Sequence, residues 1–321
     1  MILQNLPFKY LIRFQCVSKS WKALFSDPLF MKARNRRQII VTSFEPSVDT
    51  LDIEASEVPR LVEVKFPRTD DMFQVLGSCD GVLLSILDGL SLLLWNPGTR
   101  IFHKLPGIGS RDDTYVFYGF GYDESSDDYK VVRGNCYTDY LYDDDGNVDY
   151  SRRGKKREVH VYSRRSNSWK IVENCPYDEV LQVNGAYVDG FLYWLVYKKK
   201  GQELYKRIGS FDLAEQKFKV LPQPKFNGHI LHLGDLEGFL CVVCNHYDSS
   251  PGGWTIWVMK EYGIRESWTK LIKIPIFVRT PFVIPLCIRK DQELVMQISD
   301  RKIVKYNPKK KEVQGSCCKE I

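Results

Sequence analysis

The chain has 321 residues, of which 44% are hydrophobic and 13% aromatic, so it can bury one or two globular cores and is not an intrinsically disordered protein. Its start lacks a basic segment followed by a long apolar run, and its longest apolar stretch, residues 82–95, is interrupted by Asp88 and Gly89. Neither a secretory leader nor a membrane span is therefore predicted. Nine cysteines, an odd number scattered mostly among apolar residues, predict reduced core thiols in the cytosol or nucleus rather than a disulfide framework.

The formal net charge of +6 is concentrated at one end of the chain. Residues 1–37 contain eight Lys or Arg and one acid, Asp27, which gives +7. The remaining 284 residues contain 38 basic and 39 acidic side chains, which gives −1. A basic end on a nearly neutral body suits nucleic acid or an acidic protein partner, and composition leaves both open.

The basic end has a helical pattern. Between Pro7 and Phe25, apolar residues recur every three or four positions, which predicts one or two short helices with a single apolar side. The sequence Ser26-Asp27-Pro28 ends the pattern. Because so short a segment cannot bury this stripe alone, we expect it to dock on the rest of the chain or on a partner.

Beyond about Arg37 the apolar period changes to two, and short predicted strands alternate with turns rich in Gly, Asn, Asp and Pro. The first predicted strands cover residues 38–44, 50–54 and 61–66. No long helix signal returns after them. The body is therefore predicted to be mainly β.

A sequence pattern, which we call the recurring phrase, repeats along this body: an acidic residue and Gly, an apolar strand, an aromatic strand end, a polar turn and a closing strand. Its clearest copy begins at Asp80-Gly81 and ends at Leu105-Pro106. The aromatic residues Phe211, Trp257 and Tyr306 lie 46 and 49 residues apart, within the range of about 40–50 residues for kelch- and propeller-type blades. The spacing predicts a β-propeller-like domain of about six blades, with an irregular antiparallel sandwich as the alternative.

Two sets of motifs carry a family resemblance. Residues 6–30, LPFKYLIRFQCVSKSWKALFSDPLF, resemble the second half of the plant F-box. Five later motifs are similar to the kelch-like, F-box-associated domain of plant F-box proteins: GSCDG at 77–81, WNP at 95–97, YGFGYD at 118–123, DYKVV at 128–132, and WVMKEYG at 257–263 with ESW at 266–268. These motifs follow the family's order and cover nearly the whole chain.

The resemblance implies a substrate receptor of an SCF-type ubiquitin ligase. The basic end, residues 1–37, which we call the head, would bind a Skp-type adaptor and, through it, a cullin and a RING protein. The β body that follows would hold a protein substrate. The residues that match the F-box pattern and are predicted to serve adaptor binding are Leu6, Pro7, Leu11, Phe14, Val17, Lys19, Trp21 and Leu24. Part of this set would be internal core and part adaptor-facing, and the sequence does not separate the two.

The resemblance also predicts the domain organisation. Family members normally begin with an earlier Leu-Pro and a helix that lead into the position of Ile2-Leu3, so the F-box is expected to be truncated. The predicted segments are a truncated F-box at 1–37, a substrate-binding β domain at 38–314 and a tail at 315–321. The alternative is a stand-alone module that binds a protein or glycan without ligase assembly.

The sequence offers no convincing catalytic or metal site. Cys241 and Cys244 have CxxC spacing, but they lie in a predicted strand, where residues three apart point to opposite faces. His229 and His232 lack the spacing and the Glu of a zincin, and no nucleophile elbow or phosphate-binding Gly loop is present. We therefore expect no catalytic residue, no metal and no cofactor, with a propeller enzyme as the third alternative.

Two long polar segments are the predicted substrate-binding loops, because variable surface loops are left to make specific contacts when strands are committed to packing. One begins at Asp139 and ends at Arg157, and the other begins at His246 and ends at Trp254. The basic half of the first is read as part of a self-neutralising loop rather than as an import signal, and Lys198-Lys199-Lys200 as an ordinary exposed turn. We expect a cytoplasmic or nuclear protein, or both, that binds neither nucleic acid nor membranes.

Overall fold

The computed structural model describes residues 17–21, 38–42, 47–52, 61–65, 73–87, 89, 91–97, 101–108, 116–135, 158–172, 175–200, 203–226, 228–246, 252–275, 282–289, 291–299 and 302–317. Within these ranges nearly all regular structure is strand. None of the helices in this part of the chain is both long and apolar enough to cross a membrane.

The described strands form six sheets. The first contains β1 (Gln38–Thr42), β2 (Ser47–Asp52) and β3 (Leu61–Lys65). The second contains β4 (Phe73–Cys79), β5 (Val82–Leu87), β6 (Ser91–Asn96) and β7 (Ile101–Lys104). The third contains β8 (Val116–Asp123), β9 (Asp128–Asn135), β10 (Val159–Ser163) and β11 (Ser168–Ile171).

The other three sheets follow in chain order. The fourth contains β12 (Glu179–Val180), β13 (Ala186–Val188), β14 (Phe191–Lys200), β15 (Glu203–Asp212) and β16 (Lys217–Val220). The fifth contains β17 (His229–Leu236), β18 (Phe239–Asn245), β19 (Gly253–Met259) and β20 (Trp268–Pro275). The sixth contains β21 (Ile284–Ile288), β22 (Leu294–Ser299), β23 (Lys302–Asn307) and β24 (Glu312–Cys317).

The predicted fold class is confirmed. Sheets made of about four consecutive strands are the blades of propeller-type domains, and five of the six sheets have four or more strands. The expected number of about six blades is thus replaced by five complete ones, because the opening sheet has three strands. The predicted domain boundaries remain predictions, although β24 runs to Cys317, three residues past the expected end at 314.

The acidic residue and Gly of the recurring phrase form the tight turns between first and second strands. Each pair has positive φ at both positions, the backbone of the two-residue hairpin turn that matches the twist of its strands. The φ values are 49° and 78° at Asp80 and Gly81, 49° and 81° at Asp189 and Gly190, and 58° and 80° at Glu237 and Gly238. Gly is favoured at the second position because it has no Cβ to clash there.

A second turn type joins third and fourth strands. After β15, the Oδ1 atom of Asp212 accepts hydrogen bonds of 3.0 Å from the backbone N–H groups of Ala214 and Glu215. After β23, Asn307 does the same for Lys309 and Lys310, at 3.0 and 3.1 Å. Asp and Asn favour such turns because their short side chains cap nearby backbone N–H groups.

Both turn types lie at the same end of each sheet, because successive antiparallel strands reverse direction. We call this the turn end. The connections from second to third strands lie at the opposite end, which we call the loop end. β9 therefore ends, and β10 begins, at the loop end of their sheet, and the same holds for β18 and β19.

The chain divides into two compact units, and each has its own core. One unit comprises residues 1–104, 243–256 and 272–321. In it Trp95, which is fully buried, packs edge-on against Phe73 with ring centroids 5.5 Å apart, beside Leu83 and Leu93. Trp95 is the aromatic strand end of the recurring phrase, so in this sheet that position belongs to the core.

The second unit comprises residues 105–242 and 257–271. Its core is centred on Trp194, whose ring lies 5.3 Å from that of Phe117 and whose Nε1–H donates to the carbonyl of Tyr118 at 3.0 Å. A Cβ on Gly119 would lie 2.7 Å from the side chains of Leu192 and Trp194. The glycines of the predicted YGFGYD strand thus permit close packing between sheets, as expected of a strand rather than a nucleotide-binding loop.

A buried ion pair fixes the turn between β8 and β9 in this second unit. Lys130 Nζ lies 2.5 Å from Asp123 Oδ2 and donates to the Leu213 carbonyl at 3.0 Å. Ser125 and Ser126 also donate to Asp123 through their hydroxyl groups, at 2.7 and 2.6 Å. Burial acts to raise the pKa of Asp123, but the hydrogen bonds from Lys130 and the two serines outweigh it and lower the pKa to about 2.

Candidate partner-binding surfaces

The described part of the head is one helical turn. Ser18 Oγ accepts a hydrogen bond from the Trp21 backbone N–H at 3.1 Å, which is the arrangement of an N-cap. Val17 is 65% exposed, Lys19 is exposed and Trp21 is half-buried. The other predicted adaptor-binding residues lie outside the described residues: Leu6, Pro7, Leu11, Phe14 and Leu24.

The two predicted substrate loops are described only in part. The segment from Asp139 to Arg157 lies outside the described residues. In the second segment, His246 Nε2 lies 2.9 Å from Thr255 Oγ1, while Trp254 is buried within β19. Trp254 therefore belongs to the core, and the connection between the two strands is 246–252.

The hairpin of β14 and β15 is a loop-end feature that the sequence reading missed. Lys198-Lys199-Lys200 is not a turn, as predicted, but the end of a ten-residue strand. Lys198 pairs with Tyr205 across the hairpin, and the Arg207 guanidinium carbon lies 5.3 Å from the centroid of the Tyr205 ring. A signal was present, because the apolar run at 191–197 leads directly into the three lysines, but the lysine run was taken as the end of the strand.

A second surface lies at a turn end. The connection between β19 and β20 contains a 3-10 turn at Arg265–Ser267, and it carries Tyr262 onto Phe191 with ring centroids 3.9 Å apart. Ser267 Oγ holds the connection by donating to the carbonyls of Glu261 and Ile264, at 2.9 and 2.8 Å. Tyr262 and Ile264 remain partly exposed, so this turn end presents apolar surface.

The CxxC pair lies in the core. Cys241 and Cys244 are both free, fully buried thiols on β18, and burial raises the pKa of each to about 12. Such thiols are poor nucleophiles and poor metal ligands, because both roles need the thiolate. Among the described residues no group of three or more His, Cys, Asp and Glu is placed to hold a metal ion.

Comparison with known families identifies both parts of the chain. The profile of the F-box associated beta propeller domain matches residues 29–317, and that of the F-box domain matches residues 1–32. The chain belongs to the F-box-associated β-propeller family. It is thus an F-box protein whose β body is the family's propeller domain, as the motif order predicted.

Individual relatives agree with this membership. The chain is 30% identical to the F-box protein CPR1 of Arabidopsis thaliana, over 97% of this chain and 81% of that protein. It is 32% identical to the F-box/kelch-repeat protein At3g23880 of the same species, over 89% of this chain and 80% of the relative. An F-box/WD-40 repeat-containing protein 1 of Arabidopsis thaliana is 27% identical over 85% of this chain.

The family motifs lie on structural residues of the β domain and not on the β14–β15 hairpin. The Asp-Gly motif at 80–81 forms a tight turn, and the YGFGYD and DYKVV motifs supply the buried ion pair of Asp123 and Lys130. These motifs therefore stabilise the fold of the F-box-associated domain. The β14–β15 hairpin lies outside them, which is why a reading of family motifs did not find it.

Proposed function

We propose that this chain is the substrate-recognition subunit of an SCF-type ubiquitin ligase. The observation that carries the proposal is the pairing of an F-box match at 1–32 with the propeller-domain match at 29–317. The F-box would engage a Skp-type adaptor and, through it, a cullin and a RING protein. The β domain would hold a protein substrate in the cytosol, the nucleus or both, while ubiquitin transfer takes place on other subunits, so the chain itself is no enzyme and needs no cofactor.

The physical character of the head supports adaptor binding. Residues 1–37 carry a net charge of +7, and within them Val17 exposes an apolar side chain two positions before Lys19. Exposed apolar groups among cations suit a hydrophobic groove with an acidic rim, where burial supplies affinity and charge supplies specificity.

The physical character of the β domain supports substrate binding at loop ends. Most of its described strands bury apolar side chains, and three of its turn ends carry the same two-residue acidic-Gly turn. Connections that differ in length and composition lie at the loop ends, and specific contacts in repeat domains usually come from such segments.

The test is capture of the adaptor and cullin by the full chain in plant cells. We expect both proteins to co-purify with the unaltered chain, and Val17→Asp to reduce the amount captured because it places a charge in an apolar contact. Ile101→Asp is the matched control, since Ile101 is 69% exposed on β7, outside the F-box, and it should leave capture unchanged. Absence of adaptor from the unaltered chain's complexes would favour a stand-alone binding module instead.

A further inference from the structure

The β14–β15 hairpin extends beyond the rest of its sheet. The two strands pair over ten residues each, from Phe191 opposite Asp212 to Lys200 opposite Glu203. On one side β16 pairs only with residues 209–212, and on the other β12 pairs only with 196–197. The loop-end half of the hairpin is thus left without neighbouring strands over most of its length.

Three side chains share one face of this loop-end half. Lys198 and Tyr205 are opposite each other in the register, so they lie on the same face, and Arg207 joins them because it is two residues from Tyr205 along the strand. Lys198 is exposed, while Tyr205 and Arg207 are half-buried. We call these three residues the basic face.

Arg207 is held in place before any partner binds. Its guanidinium carbon lies 5.3 Å from the centroid of the Tyr205 ring, and its Nη1 donates to the carbonyl of Lys206 at 3.0 Å. A guanidinium has five N–H donors in a rigid fork, so donors remain for a ligand. A side chain that is already ordered loses less conformational entropy when it binds.

The charges around the basic face are not balanced. Lys198 and Arg207 lie on the basic face, whereas Lys199 and Lys206 lie on the opposite face of the hairpin, because neighbouring residues of a strand alternate. In the described part of the chain none of these four cations forms an ion pair. The same half of the hairpin also contains Lys200 and Glu203. With Asp178 and Glu179, which lie just before and at the start of β12, the local sum is five cations minus three carboxylates, or +2. Asp178 is engaged with the backbone, because its Oδ2 accepts from the Lys199 N–H at 2.7 Å.

We propose that the basic face docks an acidic, extended segment of a protein partner, with carboxylates bound by Arg207 and Lys198. The inference deepens the proposed function, since such a segment would be a recognition element of the substrate. Arg forms paired hydrogen bonds with carboxylates, and excess positive charge speeds the approach of an acidic chain. A nucleic acid is disfavoured, because single strands need open aromatic faces for base stacking and Tyr205 is half-buried with Arg207 over its ring.

The experiment measures fluorescence anisotropy of labelled probes with the purified full chain. The probes are a short peptide of alternating Asp and Ser, the same peptide with Asn in place of Asp, and a single-stranded oligothymidine. We expect the Asp peptide to bind and the Asn peptide not to bind. Lys198→Gln combined with Arg207→Gln should weaken binding of the Asp peptide by at least about tenfold, since two charge-assisted contacts are lost.

The control is a second pair of cations on β20. Lys270→Gln combined with Lys273→Gln removes the same charge from exposed positions, one of which, Lys270, also lies over an aromatic ring, 5.1 Å from the centroid of Trp257. It should change binding by less than about twofold, because these cations are not part of the hairpin and exposed charges are screened by salt. Melting temperatures of both variants establish that each is folded.

The outcomes separate this inference from the proposed function. Equal weakening by both double variants would mean that net charge alone attracts the peptide, and it would overturn the site. So would failure of the unaltered chain to bind the Asp peptide, or tighter binding of the oligothymidine. Adaptor capture is measured on the same variants and should be unchanged, so loss of adaptor binding with the peptide site intact would contradict only the ligase assignment.

Discussion

The ion pair of Asp123 and Lys130 should behave as a coupled unit when either partner is replaced. Their side chains are 3% and 7% exposed, and a buried charge that loses its partner costs about 3–5 kcal/mol. Asp123→Ala should therefore lower the free energy of unfolding by about that amount. Lys130→Met should cost less, about 2–3 kcal/mol, because Ser125 and Ser126 still donate to the carboxylate.

The double variant decides between a coupled pair and two independent residues. With both charges gone, its loss should be smaller than that of Asp123→Ala alone, since neither charge is left buried. Urea unfolding of the wild type, both single variants and the double variant gives the coupling energy. Losses that add within about 0.5 kcal/mol would refute the reasoning.

The control is Lys219, an exposed cation in the same unit. Lys219 lies 3.8 Å from Asp212 and 3.4 Å from Glu215, and nearly half of its side chain is exposed. Lys219→Met should cause no measurable loss, because solvent screens exposed pairs. A loss as large as that of Lys130→Met would mean that burial is not what makes the Asp123 pair important.

The same pair predicts a pH dependence. The pKa of Asp123 is lowered from 3.8 to about 2, so the folded protein binds this proton less tightly than the unfolded chain does. The resulting stabilisation, about 2 kcal/mol, is present above pH 4 or so and is lost as the pH falls towards 2. The stability difference between the wild type and Asp123→Ala should narrow over that window, and a constant difference would contradict the assignment.

Three further predictions concern the core, the loops and the thiols. Trp95→Ala should lower the free energy of unfolding in urea by about 3–5 kcal/mol because the ring is fully buried. Trp257→Ala should lower it clearly less because that ring is half-buried. Equal losses would contradict this ranking. Replacing residues 139–157 with a short Gly-Ser turn should leave the melting temperature nearly unchanged, since closing a long surface loop costs little entropy, and should lower substrate capture in proximity labelling. Unfolding, or unchanged capture, would count against that loop as a binding surface. Cys241 and Cys244 should resist alkylation at neutral pH in the folded protein, because the pKa of each is about 12. Metal analysis should find no stoichiometric zinc. One equivalent of zinc that disappears in Cys244→Ser would overturn the assignment of both residues as core thiols.

Local chemistry made much of the scaffold predictable. Acidic-Gly pairs such as Asp80-Gly81 specify their own backbone, because few other residues adopt positive φ readily at both positions. Trp95 could be assigned to the core because it ends an apolar strand just before a turn. Motif order along the chain then predicted the F-box and its associated propeller domain, and the family matches confirm both.

The burial of Trp257 differs from what the spacing between repeats predicts. Its spacing along the chain makes Trp257 equivalent to Phe211 and Tyr306, both of which are fully or almost fully buried. Trp257 is instead half-buried and packs edge-on against Phe226. The connection after β19 differs from the short turns after β15 and β23, and a strand position faces the core or the solvent according to its distance from its turn. Spacing between repeats therefore located the strand but not the buried position within it.

The sequence by itself determined most of the strands, the acidic-Gly turns, the repetition of sheets and the family, because each rests on residues close together in the chain. Only the tertiary structure placed Arg207 over Tyr205 and opposite the strand that carries Lys198, and only it joined Lys130 to Leu213, 83 residues away. Strand pairing fixes which face a side chain shares, and a shift of one residue in the register would move Lys198 to the other face of the hairpin. The register, rather than the run of lysines, assembles the basic face.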